Sequence, residues 1–128
     1  MGRSQRQKGK RWEQDVARRY REELPELADK IRRCDQSSGG DHGADVDVAS
    51  ILWNECKVGA RPNVLGAWAQ VTERRGEDSP MRVVVVKRDH CEPTVTISLT
   101  AWLKIVGMLV RTLGVRCVRE FLQTADKG

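Results

Sequence analysis

The spacing of apolar positions changes period several times along the chain, and each change predicts an element. After a polar, basic start, Trp12, Val16, Tyr20 and Leu24 recur every fourth residue, the stripe of a helix that ends near Pro25. Residues 30–35 suit a short strand, and the Ser-Ser-Gly-Gly-Asp-His-Gly run at 37–43 is a turn or loop by composition, flexible enough to serve a ligand. The runs 45–49 and 51–57, joined closely around Ser50, predict a hairpin with a very tight turn. Pro62 suits the first turn of a helix over about 63–75, with Leu65, Ala69 and Thr72 on one side and Gly76 as its stop. The continuous β-branched run at 81–88 predicts a central strand covered on both faces. A further strand is predicted over 94–99, then a helix from Ala101 to about Leu113, capped by Thr100 and ended by Gly114. Helix, three strands, helix, two strands, helix describes an α/β or α+β domain with a mixed central β-sheet flanked by helices. At 128 residues the chain accommodates one core. The expected organisation is a flexible basic arm at 1–10, a single domain at 11–122 and a tail at 123–128.

Charge changes this picture at the N-terminus. The net charge is +5, and residues 3–21 carry eight Arg or Lys against Glu13 and Asp15, which suits a polyanion such as nucleic acid or, more plainly, a solvated helix face. Cys34, Cys56, Cys91 and Cys117 are scattered without the CxxC spacing of a structural zinc site, as expected of free thiols in a reducing cell. The longest apolar stretch, near the C-terminus, is interrupted by Lys104 and Arg111, and no apolar run follows the basic start, so neither a membrane span nor a secretory signal is expected. An intracellular setting follows: the cytoplasm of a bacterial, archaeal or phage-infected cell. Trp12, Trp53, Trp68 and Trp102 are expected in the core or at an interface.

The chemistry concentrates in the predicted hairpin. Strand side chains alternate, so Glu55 and Lys57 project from one side and Cys56 from the other, and Asp45 and Asp47 likewise share a face. In the register that a tight turn imposes, an acidic residue of the first strand stands beside Glu55, giving two hard oxygen donors for Mg²⁺, with Mn²⁺ as a substitute, next to a lysine. Such a site suits phosphodiester hydrolysis, because the ion neutralises phosphate charge and acidifies water while the ammonium group positions that water or steadies the developing charge. A D…ExK match is short, and surface hairpins with exchangeable salt bridges also produce it.

The surrounding residues extend the match. The segments GADVDV at 43–48 and NECK at 54–57 resemble the G…PD(I/V)…ECK core of archaeal-type Holliday junction resolvases, members of the PD-(D/E)xK nuclease superfamily, some of them from phages. KGKRWEQDVARRY at 8–20 is similar to the basic start and Glu-bearing first helix of those enzymes, and the likeness continues to about Leu99. The resemblance implies a restriction-endonuclease-like core and a metal-dependent endonuclease. Asp45 and Glu55 would be metal ligands, the Cys56 carbonyl a further ligand, Glu13 an additional acidic group and Lys57 the catalytic lysine. Ser37 and Ser38 would match a serine-containing loop, and Gln70 a glutamine near the active site in several branches. Ala44 stands where the family usually has proline, which leaves Asp47 open as the ligand, although the position of Asp45 after Gly-Ala fits the motif better.

DNA contacts are expected from Lys8, Lys10, Arg11, Arg32, Arg33, Arg61, Arg74 and Arg75, since arginine can hold phosphate oxygens through two donors. His42 lies in the loop beside the candidate site, and His90 in another loop. The helix at 101–113 is apolar nearly all round, which suits a subunit interface. Resolvases cut symmetrically, so the resemblance implies a homodimer acting on four-way DNA junctions. No organic cofactor is expected. Two other functions fit the same residues: a related nuclease of flaps, nicks or duplex DNA, and a non-catalytic nucleic-acid-binding protein.

Overall fold

A computed structural model of the chain describes residues 3–34, 44–73 and 80–127. The chain divides into two compact units, Met1–Thr96 and Ile97–Gly128. The first contains α1 (Arg3–Glu23), a 3-10 segment (Pro25–Lys30), β1 (Ile31–Arg33), β2 (Val46–Val48), β3 (Leu52–Gly59), α2 (Val64–Glu73), β4 (Met81–Arg88) and β5 (Thr94–Thr96). The second contains α3 (Leu99–Leu113) and α4 (Val115–Lys127).

The five strands form one sheet in chain order, with β3 and β4 parallel and every other neighbouring pair antiparallel. This is the expected α/β class with a mixed sheet. Parallel pairing of β3 and β4 requires a crossover, and α2 lies in that connection. The two helices of this unit cover opposite faces. Ala67 and Val71 of α2 pack on Val84 and Val86 of β4, whereas the Trp12 indole of α1 donates to the carbonyl of the intervening Val85 at 3.4 Å. Val83 to Val86 are all buried, as the unbroken β-branched run predicts for a strand covered on both sides. Each buried valine contributes roughly 1.5 kcal/mol or more, so β4 is the spine of the unit.

The β2–β3 hairpin is as tight as expected. Val46 pairs with Asn54 and Val48 with Leu52, and the Ile51 amide closes the turn on the Val48 carbonyl at 2.9 Å. Both central residues, Ala49 (φ 49°) and Ser50 (φ 58°), take the left-handed conformation that matches the twist of paired strands. The Asp47 carboxylate supports it by accepting from the Ser50 amide at 3.0 Å.

Four boundaries differ from expectation. The arm at 1–10 is helical from Arg3 onward, because Gln, Arg and Lys are good helix formers and no proline intervenes; Gly9 is tolerated. Asn63, with its side chain accepting from the Gly66 amide at 2.9 Å, caps α2 just after Pro62. Ser98 rather than Thr100 caps α3, accepting from the Ala101 amide at 3.0 Å, which shortens β5 to three residues. Gly114 (φ 83°) ends α3 as expected, but a second helix follows at once and absorbs most of the expected tail. Its Val115, Val118, Phe121 and Leu122 recur at helical spacing. The helix expected over 63–75 is observed to Glu73, and its Gly76 stop lies outside the described residues.

Candidate active site

Two contacts bring an acidic helix residue to the hairpin. Asn54, fully buried on β3, donates to the Val46 carbonyl at 3.2 Å and accepts from the Tyr20 hydroxyl at 2.7 Å. Arg21 donates to the Ile31 carbonyl at 2.7 Å. These bonds pin α1 against β1, β2 and β3. Glu13 lies seven residues before Tyr20, two helical turns along the same face, and is thereby held toward the start of β2.

Asp45 immediately precedes β2. It is buried, and its amide donates to the Asn54 carbonyl at 2.9 Å, one residue out of step with the β2–β3 pairing. Its carboxylate accepts from the Cys56 amide at 2.8 Å. Glu55, also buried, shares a face of β3 with Lys57, whose Nζ is 3.5 Å from Glu55 Oε1 and whose side chain is 37% exposed. By register these two stand beside Val84 and Val86, on the sheet face that α2 covers. Asp47 is employed differently: it holds the hairpin turn and lies 3.9 Å from Arg32. Of the two aspartates, Asp45 is the one beside the Glu55 strand segment.

The electrostatics join these groups. Burial first, then the Asp45 charge and to a smaller degree that of Glu55, push the Glu13 carboxyl from its ordinary 4.5 up to about 7, against the opposing pull of Arg33. Burial, with Asp45, Glu13 and Glu55, also raises the Cys56 thiol well above its ordinary range, so it stays protonated. Each carboxylate has a protein partner: Asp45 the Cys56 amide, Glu55 the Lys57 ammonium and Glu13 the Arg33 guanidinium at 3.4 Å. Among the described residues, no group of three or more His, Cys, Asp or Glu side chains stands in metal-holding geometry. The donor set is nonetheless one of hard oxygens, the kind that suits a small divalent cation, and two of the acidic charges act on the third.

The other sequence-selected residues are distributed around this centre. Gln70 is exposed on α2, off the Ala67–Val71 seam, and Arg61 is exposed beyond β3. Lys10 is exposed on α1. Lys8 pairs with Asp89 at 2.8 Å, and Lys8, Arg11 and Lys87 line an open cleft of about 760 Å³ together with Asp15, Asp89 and His90. Ser37, Ser38, His42, Arg74 and Arg75 lie outside the described residues.

Three features escaped the sequence reading. Arg82 is buried on β4 with its guanidinium 4.0 Å over the Trp53 ring, next to the strand that carries Glu55. Asn54 links α1 to the hairpin, and Lys87 joins the basic cleft from the end of β4. Only a polar residue inside or beside an apolar strand run marked these positions in advance: Asn54 in NEC, Arg82 before the valines and Lys87 after them. Comparison with known proteins finds no matching family model, no similar curated protein and no similar solved structure.

Proposed function

We propose that this protein is a divalent-metal-dependent, structure-specific DNA endonuclease that resolves four-way junctions as a homodimer. The observation that carries the reading is that Glu13 on α1 feels the charges of both Asp45, just before β2, and Glu55 on β3, whose carboxylate lies 3.5 Å from the Lys57 ammonium. A carboxyl held beside two other acidic charges costs stability, and a site for a cation is the physical use of that cost. Asp45, Glu55 and Glu13 would hold Mg²⁺ or Mn²⁺, with the Cys56 carbonyl as a further donor. When bound, the ion supplies charge neutralisation at the phosphate and acidification of water.

The chain's own residues do the rest. The Cys56 amide keeps the Asp45 carboxylate turned to the centre. Lys57, 37% exposed with its ammonium 3.5 Å from Glu55, would orient the attacking water or donate to a non-bridging phosphate oxygen. Water oxygen bonds to phosphorus as the bond to the leaving O3′ breaks, leaving a 5′-phosphate and a 3′-hydroxyl. Lys8, Arg11 and Lys87 in the cleft along α1 suit sequence-independent phosphate contacts on a flanking arm. The apolar residues exposed on α3 and α4 suit the interface that would pair two active sites.

The test is cleavage of an immobile four-way DNA junction, with duplex and flap controls, in Mg²⁺ or Mn²⁺. Paired symmetric cuts are expected, abolished by chelation and reduced by about 100-fold or more in Lys57→Ala. Cutting confined to flaps or duplex would replace junction resolution with a repair activity. Metal-dependent binding without cutting would replace catalysis with a nucleic-acid-binding role.

A further inference from the structure

Among the described residues, the two cations paired with the acidic centre differ in how they are held. Lys57 shares its strand and face with Glu55, whereas Arg33 reaches Glu13 from β1, a separate element. The Arg33 Nη1 to Glu13 Oε1 separation of 3.4 Å is long for a charge-assisted hydrogen bond, and the two side chains are 30% and 21% exposed. Such a contact is weak enough to exchange. A guanidinium cannot lose its proton, so Arg33 stays charged and leaves a charged Glu13 by moving. Its backbone stays anchored while it does so. Arg33 pairs with Val46, and the next residue, Cys34, donates its amide to the Asp45 carbonyl at 2.8 Å. Arg33 is therefore fixed beside the centre at its backbone, with a planar five-donor group that fits phosphate oxygens.

We propose that Arg33 is the resident counter-cation of Glu13, releasing that carboxylate when a divalent ion takes the acidic centre and turning its guanidinium to a phosphate oxygen of the bound nucleic acid. This rests on the divalent-ion nuclease reading above. It has two consequences of opposite sign. Without nucleic acid, Arg33 competes with the ion for Glu13 and repels it, so removing its charge tightens ion binding. With the ion in place, Arg33 holds the ligand, so the same substitution weakens nucleic-acid binding. A residue that merely kept Glu13 in position would weaken the first when removed.

The experiment uses the full chain with Arg33→Gln, Arg33→Lys and Glu13→Gln. Mn²⁺ binding is measured without DNA by calorimetry, and four-way junction binding by fluorescence anisotropy in Ca²⁺ and in chelator; circular dichroism verifies the fold of each variant. Arg33→Gln is expected to bind Mn²⁺ about 10-fold more tightly at low ionic strength, the gain shrinking as salt screens the repulsion. Arg33→Lys, which keeps the charge, should stay near the native ion affinity. In Ca²⁺, Arg33→Gln should bind the junction several-fold more weakly than native protein, with a smaller difference in chelator. In a Glu13→Gln background the Mn²⁺ gain should diminish, because the contested carboxylate is gone. Equal or weaker Mn²⁺ binding by Arg33→Gln, or unchanged junction affinity in Ca²⁺, overturns the role of Arg33 while leaving a metal site standing. Native protein that binds no Mn²⁺ overturns the metal reading itself, and the exchange with it.

Discussion

Glu13 combines a half-buried carboxyl, two acidic neighbours and one arginine, which together push that carboxyl from 4.5 up to about 7. Between those values the folded protein retains a proton that the unfolded chain has released. The contribution of this group to stability is therefore complete below about pH 4.5 and declines as pH rises through 7. Urea denaturation in chelator between pH 5 and 8 should show a midpoint that falls with pH. Glu13→Gln, which carries no titrating proton, should flatten that dependence. An unchanged slope in the variant would mean that burial and the Asp45 and Glu55 charges do not raise the Glu13 carboxyl. The two aspartates of the hairpin likewise divide by surroundings: Asp45 meets a backbone amide beside Glu55, and Asp47 serves the turn.

At the scale of elements, the β2–β3 hairpin is built against the preference of its own turn residues. Ala49 and Ser50 both sit in left-handed backbone, where a side chain costs energy and where Asn-Gly is the usual solution. The surrounding pairing and the Asp47 bond to the Ser50 amide sustain it. Ser50→Gly keeps that amide and removes the steric cost. It should stabilise the protein by about 0.5–1 kcal/mol, read as an increase in the urea midpoint at unchanged slope. A loss of stability would show that the Ser50 side chain itself matters. The same hairpin sets the spacing of the acidic centre, since the slip at Asp45 places its carboxylate over the Cys56 amide instead of continuing the ladder. Binary patterning is blind to a slip of that kind, and only the paired strands display it.

For the molecule as a whole, the second unit carries a large apolar surface. Trp102 is 48% exposed, Leu103 59% and Met108 66%, with Leu113, Val115 and Phe121 exposed as well. Several large apolar side chains exposed on the same two helices suit an interaction face. On the proposed dimer, sedimentation at micromolar concentration should give twice the 14.5 kDa chain mass. Leu103→Lys with Met108→Lys should give the single-chain mass with the circular dichroism of the sheet intact. A native protein that sediments as one chain both alone and on DNA would remove the dimer. No helix among the described residues is long and apolar enough to cross a membrane, so this surface is not a span.

Local signals in the chain determined the class of fold and the placing of most elements. The fourfold stripe of Trp12, Val16 and Tyr20, the valine run of β4 and the Gly114 stop each act through neighbours in sequence, and each was legible there. The spacing of Glu55 and Lys57 also determined that they share a face, because alternation is a property of the strand alone. Contacts between distant segments decided the rest. The buried Asn54 gathers Tyr20 and Val46, bringing Glu13 into range of Asp45, and Arg33 reaches Glu13 across 20 positions of chain. The burial and repulsion that raise the Glu13 carboxyl arise from that packing. They depend on distances through space, which a one-dimensional pattern of residue types does not contain.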